Sequence, residues 1–276
     1  MAGTYRVSLN PQYSAIMFRE GTVLHVISES VTKEFDNFGI LQFSLAQIRS
    51  NEHDTLQETF SSKTKFSDKM DYAQLQWGKK FSDDFAIGAN FNYSYSEITS
   101  KIDELKLYDS SSNSYGIRLG TLYRLAPNLL GGLVADYSWS PSNTTIYYDT
   151  FIPGAGYTLT KDTTEQFTLR GGPSYEYRKD STINLDYQYG TFRNDTGTLE
   201  VHRVFAGVDH RIVDALFVRA GIALDNHGNT SGTCGLGIYP LKTVSIDIGY
   251  QYNMFPEVQP DFGRAHTLTI SLSWVL

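Results

Sequence analysis

Arginine and aspartate recur in one alternating register of the sequence, among glycine, serine, asparagine and glutamine. If the segments that carry them enclose one interior, the two signs of charge face each other across or around it. In a water-filled interior, opposed charges set a transverse field that filters ions and polar solutes. In a filled interior, the same charges pair as structural salt bridges, and both alternatives stay open. The residues are Arg118, Asp136, Arg170, Asp186, Arg203, Asp209, Arg219 and Asp247, with Glu176 as a further candidate.

Hydrolytic chemistry would need a base beside a nucleophile. A histidine followed two positions later by a serine would place an imidazole and a hydroxyl on one strand face. None of the six histidines has that neighbour. The residues found there are Ile27, Thr55, Val204, Ile212, Asn229 and Leu268. His53 comes nearest, in a predicted loop with nothing to orient a base, so the sequence predicts no catalytic residue and no enzyme.

Metal, cofactor and nucleic-acid sites also lack support. Cys234 is the only cysteine, and His202 and His210 are eight residues apart on one strand, too far for common coordination at about 3.3 Å per residue. The double glycines at 131–132 and 171–172 lie inside predicted strands rather than before a helix, as a phosphate loop requires. A net charge of −7 and a pI near 5.3 argue against nucleic-acid binding. We expect no metal and no cofactor.

The elements that must position the charged residues are β-strands. From Tyr72 onward, apolar and polar side chains alternate with the period of two that marks a strand with two different faces. The clearest segments are 85–98, 115–123, 131–139, 167–177, 183–189, 216–224, 244–252 and 268–276. Earlier segments at 38–49 and 71–78 follow the same pattern, whereas 199–210 and 232–240 fit less cleanly.

These segments number twelve from Phe38 onward, and the first 37 residues are ambiguous. Residues 5–9 and 23–27 could add a strand pair, which makes fourteen strands, or could lie inside the barrel. The turn-like residues 19–22 favour fourteen. The sequence therefore predicts an all-β, antiparallel, up-and-down transmembrane barrel that occupies residues 1–276 as a single domain.

The predicted connections alternate in length. Tight turns are expected at 79–84, 126–128, 178–181, 211–214 and 240–242. Longer polar stretches are expected at 50–68, 99–112, 141–162, 190–198, 226–231 and 254–264. Barrels of the bacterial outer membrane show this asymmetry, with short periplasmic turns and long external loops.

Lipid rather than water is the predicted environment of the apolar faces. A mean hydropathy of −0.30 and the lack of a run of about 18 apolar residues exclude a transmembrane helix, but only half of each barrel strand faces lipid. A soluble sheet would carry lysine on its solvent face. All the lysines instead fall in predicted loops, turns or strand ends.

Aromatic residues cluster near the ends of the apolar registers. Amphipathic rings are most stable at the level of the lipid headgroups, which produces the aromatic girdles of membrane barrels. The predicted girdle comprises Phe85, Tyr95, Tyr115, Tyr123, Tyr137, Trp139, Tyr250, Tyr252 and Trp274.

The C-terminal residues 268–276, LTISLSWVL, resemble the closing strand of Gram-negative outer-membrane β-barrels. Apolar residues alternate there, an aromatic residue stands third from the end and the terminus is apolar, although that superfamily usually ends in phenylalanine and this chain ends in Leu276. The resemblance identifies a superfamily without a member. It implies a bacterial outer-membrane location with lipid and lipopolysaccharide as surroundings.

The function predicted first is a porin-like channel for passive diffusion of small hydrophilic solutes or ions. The alternative is a scaffold barrel of a larger export or electron-conduit assembly, with a protein partner in the lumen or periplasm. A lipid-modifying enzyme is a weaker third hypothesis. Met1 to Val7 contain no signal peptide, so we expect a mature chain with an added start methionine.

Overall fold

The computed structural model describes residues 7–18, 23–50, 53–56, 63–102, 105–148, 154–241, 243–253 and 264–275. The predicted turn at 19–22, the first six residues and Leu276 lie outside these ranges. No helix among the described residues is long and apolar enough to cross a membrane.

The described residues form fifteen β-strands in one sheet. These are β1 Val7–Met17, β2 Val23–Phe35, β3 Gly39–Ser50, β4 His53–Leu56, β5 Lys63–Ser82, β6 Phe85–Ile102, β7 Leu105–Ala126, β8 Leu129–Tyr147, β9 Tyr157–Arg178, β10 Ser181–Asn194, β11 Gly197–Val213, β12 Leu216–Asp225, β13 Thr230–Leu241, β14 Val244–Tyr252 and β15 His266–Val275.

The sheet is closed. Each strand pairs antiparallel with its neighbours, β1 pairs with β15, and β3 pairs with β5. The four-residue β4 pairs only with the outer end of β5, so the wall contains fourteen strands. The first hairpin belongs to this wall, which confirms fourteen strands and rules out the alternative of twelve with a segment in the lumen. Closure pairs every wall strand on both sides and removes the exposed edges.

The short and long sides of the barrel differ as predicted, but the predicted loops are mostly strand. β5 to β9 are 18 to 22 residues long, whereas crossing a membrane takes about 9–11 residues. Residues 105–112 and 157–162 are therefore paired wall rather than loop. Strands that project past the bilayer have water on both faces, so they lose the alternation that reveals a strand in sequence.

Most of the large apolar side chains are on the outside of this barrel. Leu75, Phe91, Leu119 and Leu133 are each half exposed on the outer face, and only Ile16, Val201, Ala223 and Ala265 are buried apolar residues among those described. A water-soluble domain needs an interior core of such residues. The outer face is thus built for contact with lipid, and the polar register lines the lumen.

Candidate functional site

Arg118 and Asp136 face the lumen from neighbouring strands. The register of β7 and β8 places them directly opposite each other, and Arg118 Nε donates a hydrogen bond to Asp136 Oδ2 at 2.5 Å. On its other side Arg118 is opposite Asn90 of β6. The arginine side chain remains 52% exposed, so the pair lies along the wall and still faces the lumen.

Arg170 and Asp186 form a second pair, on β9 and β10. Arg170 donates through Nε and Nη2 to Asp186 Oδ2, at 3.2 and 2.6 Å. Its guanidinium carbon also lies 3.9 Å from the centre of the Phe205 ring on β11, a cation–π contact. The ring and the carboxylate together hold the guanidinium in one position against the wall. Phe205 is a lumen residue that the sequence alone does not reveal, because it is an aromatic residue on the otherwise polar register of Arg203 and Asp209.

Arg219 bridges two carboxylates. It is opposite Asp209 of β11 and donates to that carboxylate at 3.0 Å. It also reaches across β13 to Asp247 of β14. Glycine makes the second contact possible, because a Cβ at Gly237 would lie 2.9 Å from Asp247 Oδ1 and 3.3 Å from Arg219 Nη2. The glycines of this strand therefore leave the room that the arginine occupies.

Arg203 forms a separate ion pair with Asp225. The register of β11 and β12 places it opposite Asp225, and the two side chains form an ion pair of 3.7 Å with 13% and 2% exposure. This pair lies toward the long-loop end. Glu176 instead accepts a hydrogen bond from the backbone of Asp180 beside a short turn. The sequence places these residues on the lumen face but does not reveal which residue of the next strand is opposite.

The lumen pairs all connect strands that are adjacent or one strand apart. No ion pair between described residues crosses the lumen. The arginines at 118, 170 and 219 keep 52%, 43% and 39% side-chain exposure, which pairing across a filled interior would remove. The described charges brace the wall and leave space beside it, including a recess of about 650 Å³ lined by Arg170, Arg203 and Arg219.

The rest of the lumen is mainly neutral and polar, with Glu34 and Lys80 as charged residues near the short turns. We call the lumen face of β7 to β14 the charged half, and that of β15, β1, β2, β3, β5 and β6 the neutral half. Hydrogen bonds join side chains within the neutral half, such as those between Ser14 and Thr269 at 2.9 Å and between Gln42 and Ser44 at 3.2 Å. A recess of about 560 Å³ is lined by several of these residues. The neutral half consists mainly of Gln12, Ser14, Ser28, Ser30, Gln42, Ser44, Gln74, Gln76, Asn92, Thr269, Ser271 and Ser273.

The predicted girdle residues are at the two ends of the outer face. Phe85 is paired with Tyr123 next to the short turns, and Trp274 is near the end of β15 on the same side. Toward the long loops, Tyr115 stacks on Trp139 with 5.7 Å between ring centres. Tyr95, Tyr137, Tyr250 and Tyr252 belong to this second row. Tyr93, at 5.3 Å from Tyr115, extends it and was not predicted.

Among the described residues, no cluster of three or more histidine, cysteine, aspartate or glutamate side chains could hold a metal ion. The lumen face presents paired charges and neutral polar side chains. Such groups can interact with a solute through their electric field and their hydrogen-bonding atoms.

Comparison with known proteins gives no relative by sequence. The chain matches no family model and no curated protein. Its three-dimensional shape, in contrast, matches solved structures along almost its whole length. The toluene transporter TodX of Pseudomonas putida superposes with a TM-score of 0.59 at 10% identity, over 98% of this chain and 88% of that one.

Two further structures have the same shape. A FadL homologue of Pseudomonas aeruginosa gives a TM-score of 0.54 at 12% identity, over 98% and 89% of the two chains. The translocator domain of the autotransporter NalP from Neisseria meningitidis gives 0.52 at 11% identity, over 99% and 89%. The chain has the fold of the outer-membrane β-barrels. Because transporters and an autotransporter domain share this fold, the β-barrel architecture leaves the function to be argued from the lumen.

Proposed function

We propose that this chain is an outer-membrane channel for passive diffusion of small hydrophilic solutes or ions. The observation that carries the proposal is that the lumen charges pair along the wall and stay 39 to 52% exposed at Arg118, Arg170 and Arg219. A wall of fourteen strands is between the small barrels that side chains fill and the larger porins. A barrel of fourteen strands is wide enough to leave a water-filled path beside these side chains.

The lumen chemistry supports polar rather than apolar solutes. Structures of similar shape are described as a toluene transporter and a monoaromatic hydrocarbon channel. A path for hydrocarbons is expected to expose apolar side chains along its length. Here the neutral half presents mainly glutamine and serine, and the charged half presents arginine and aspartate. The apolar side chains of Ile40, Leu122 and Val134 line a recess near the short turns. We therefore assign hydrophilic solutes to this chain.

The first experiment is single-channel conductance of the refolded protein in a planar bilayer, with a salt gradient across it. We expect stable conductance steps and a reversal potential set by the lumen charges. An inserted barrel that gives no steps would contradict the channel, and would favour the alternative of a lumen occupied by a partner.

Charge variants test the selectivity filter. Arg219→Ser leaves Asp209 and Asp247 without their cation, so the cation-to-anion permeability ratio should rise by about twofold or more. Arg118→Ser and Arg170→Ser should shift it in the same direction. The control is the double variant Arg219→Ser with Asp247→Ser, which restores the local net charge and should return the ratio toward the original. An unchanged reversal potential in all variants would overturn the filter.

A further inference from the structure

Two segments on the outer face repeat the same arrangement of three rings. Each has the sequence Tyr-Gln-Tyr, at 187–189 on β10 and at 250–252 on β14, and each contacts a histidine of the following strand. Tyr187 Oη lies 2.6 Å from His202 Nδ1, and Tyr250 Oη lies 2.7 Å from His266 Nδ1. The second tyrosine of each segment packs against the same imidazole, with 5.2 and 5.4 Å between ring centres.

The register makes the two sites geometrically equivalent. Tyr187 is opposite Val204 and Tyr250 is opposite Leu268. In both cases the histidine is two residues further toward the long-loop end, so the phenol reaches diagonally up to it. Both sites are therefore on the lipid-facing register, at the end of the barrel where headgroups of the outer leaflet would lie.

The hydrogen bond at Nδ1 determines what the other imidazole nitrogen offers. In the neutral ring, a tyrosine O–H that donates to Nδ1 leaves the proton on Nε2. Nε2 of His202 and His266 has no hydrogen-bond partner among the described residues. Each site thus has an N–H donor free at Nε2 when the tyrosine O–H donates to Nδ1.

The surroundings of this donor suit an anionic lipid headgroup. Tyr187 and Tyr250 are 50% and 37% exposed, and rings of this kind are most stable at the headgroup level. At one site Arg264 adds a positive charge, with its guanidinium 5.8 Å from the centre of the Tyr252 ring. A phosphate oxygen accepts strongly from imidazole and guanidinium donors, while the acyl chains would lie along the apolar face below.

We propose that Tyr187, Tyr189 and His202, and likewise Tyr250, Tyr252 and His266, form two equivalent binding sites for the phosphate of an outer-leaflet lipid. The assignment rests on the outer-membrane location in the proposed function, but not on conduction. Tyr13 and His25 repeat the hydrogen bond at 2.7 Å without a second tyrosine. Tyr177 and His210 repeat it at 2.6 Å near the short turns, also without one.

The test is native mass spectrometry of the refolded full chain with dioleoylphosphatidic acid as the probe. Dioleoylglycerol, which lacks the phosphate, and sodium phosphate, which lacks the chains, are measured alongside. We expect two phosphatidic acid molecules to be retained. His202→Phe and His266→Phe should each weaken one site by about tenfold, the loss expected for one charge-assisted hydrogen bond. His210→Phe is the matched control and should change nothing.

Three results would overturn the proposal. Equal retention of dioleoylglycerol would mean that the rings hold acyl chains without the phosphate. Equal retention of sodium phosphate would mean that any free anion binds. Unchanged retention in the double variant His202→Phe with His266→Phe, shown by circular dichroism to be folded, would remove the imidazoles from the site. A barrel that retains two lipids but conducts no ions would contradict only the proposed function.

Discussion

At the scale of single residues, Glu29 is a carboxylate on the lipid-facing side of the barrel. It lies on the outer register of β2, six residues from either end of the strand, with Pro11 and Leu45 opposite it on the two neighbouring strands. Its side chain is exposed. A carboxylate at this depth of the bilayer face is unfavourable, although less so than a lysine or arginine.

Replacing this carboxylate should stabilise the barrel. We expect Glu29→Leu to raise the free energy of unfolding in lipid vesicles by about 1–2 kcal/mol, because the charge no longer faces hydrocarbon. Urea unfolding of the inserted protein measures this. Glu97→Leu is the control, since Glu97 is two residues beyond Tyr95 toward the long loops, and it should show no gain. A destabilised Glu29→Leu would indicate that a partner of the carboxylate is lost.

Two lumen-facing glycines provide a second residue-scale prediction. A Cβ at Gly172 would lie 1.9 Å from the backbone oxygen of Leu185, whereas a Cβ at Gly249 would meet nothing within 4 Å. We expect Gly172→Ala to lower the free energy of unfolding by about 1–3 kcal/mol through this clash. Gly249→Ala should be neutral or slightly stabilising. Equal effects of the two variants in urea unfolding would contradict the close approach of β9 and β10.

At the scale of elements, prolines inside strands interrupt the ladder on one side only. Between β1 and β15 the pairing stops at Leu9 with Trp274 and resumes at Gln12 with Ser271, while the ladder from β1 to β2 continues through Pro11. Pro173 leaves a similar gap between β9 and β10. A proline has no N–H to donate, so its position determines which of the two ladders loses a bond. Pro11 interrupts the seam where the first and last strands close the barrel.

Restoring a donor at this seam should stabilise closure. Pro11→Val supplies an N–H toward β15 and keeps an apolar side chain on the outer face. We expect a gain of about 0.5–1.5 kcal/mol in the free energy of unfolding, together with slower amide hydrogen exchange at Leu272. Pro127→Val is the control and should give no gain. Pro127 lies in the turn between β7 and β8, where a new N–H has no strand ladder to join. Faster exchange at Leu272 in Pro11→Val would argue that the seam prefers the proline.

At the scale of the whole molecule, closure puts both described ends on one side. The ladder from Ser8 to Val275 joins the start of β1 to the end of β15, on the side of the short turns. The opposite side carries the projecting ends of β5 to β9. In an outer membrane, short turns face the periplasm and the longer connections face outward.

Cysteine labelling of intact cells tests this orientation. In a Cys234→Ser background, Asp195→Cys in the turn between β10 and β11 should react with a membrane-impermeant maleimide. Asp214→Cys in the turn between β11 and β12 should react at least about tenfold more slowly, because it faces the periplasm. Both positions are exposed turn residues, which makes them a matched pair. Preferential labelling at Asp214→Cys would reverse the orientation.

The sequence by itself determined the barrel and its two faces. A period of two over segments such as 85–98 requires a strand with one polar and one apolar face. The confinement of lysine to strand ends indicated lipid outside. The strands of the first hairpin and the short turns were also predictable, because turn residues are local signals.

Only the tertiary structure decided which residues of neighbouring strands lie opposite each other. Cross-strand register decides three contacts of this kind. Arg203 pairs with Asp225, Arg219 reaches Asp247 across Gly237, and each Tyr-Gln-Tyr segment contacts a histidine. Register is set by the packing and closure of the whole sheet, so it depends on residues that are distant in sequence. The projecting ends of β5 to β9 were likewise hidden, since a strand with water on both faces has no reason to alternate.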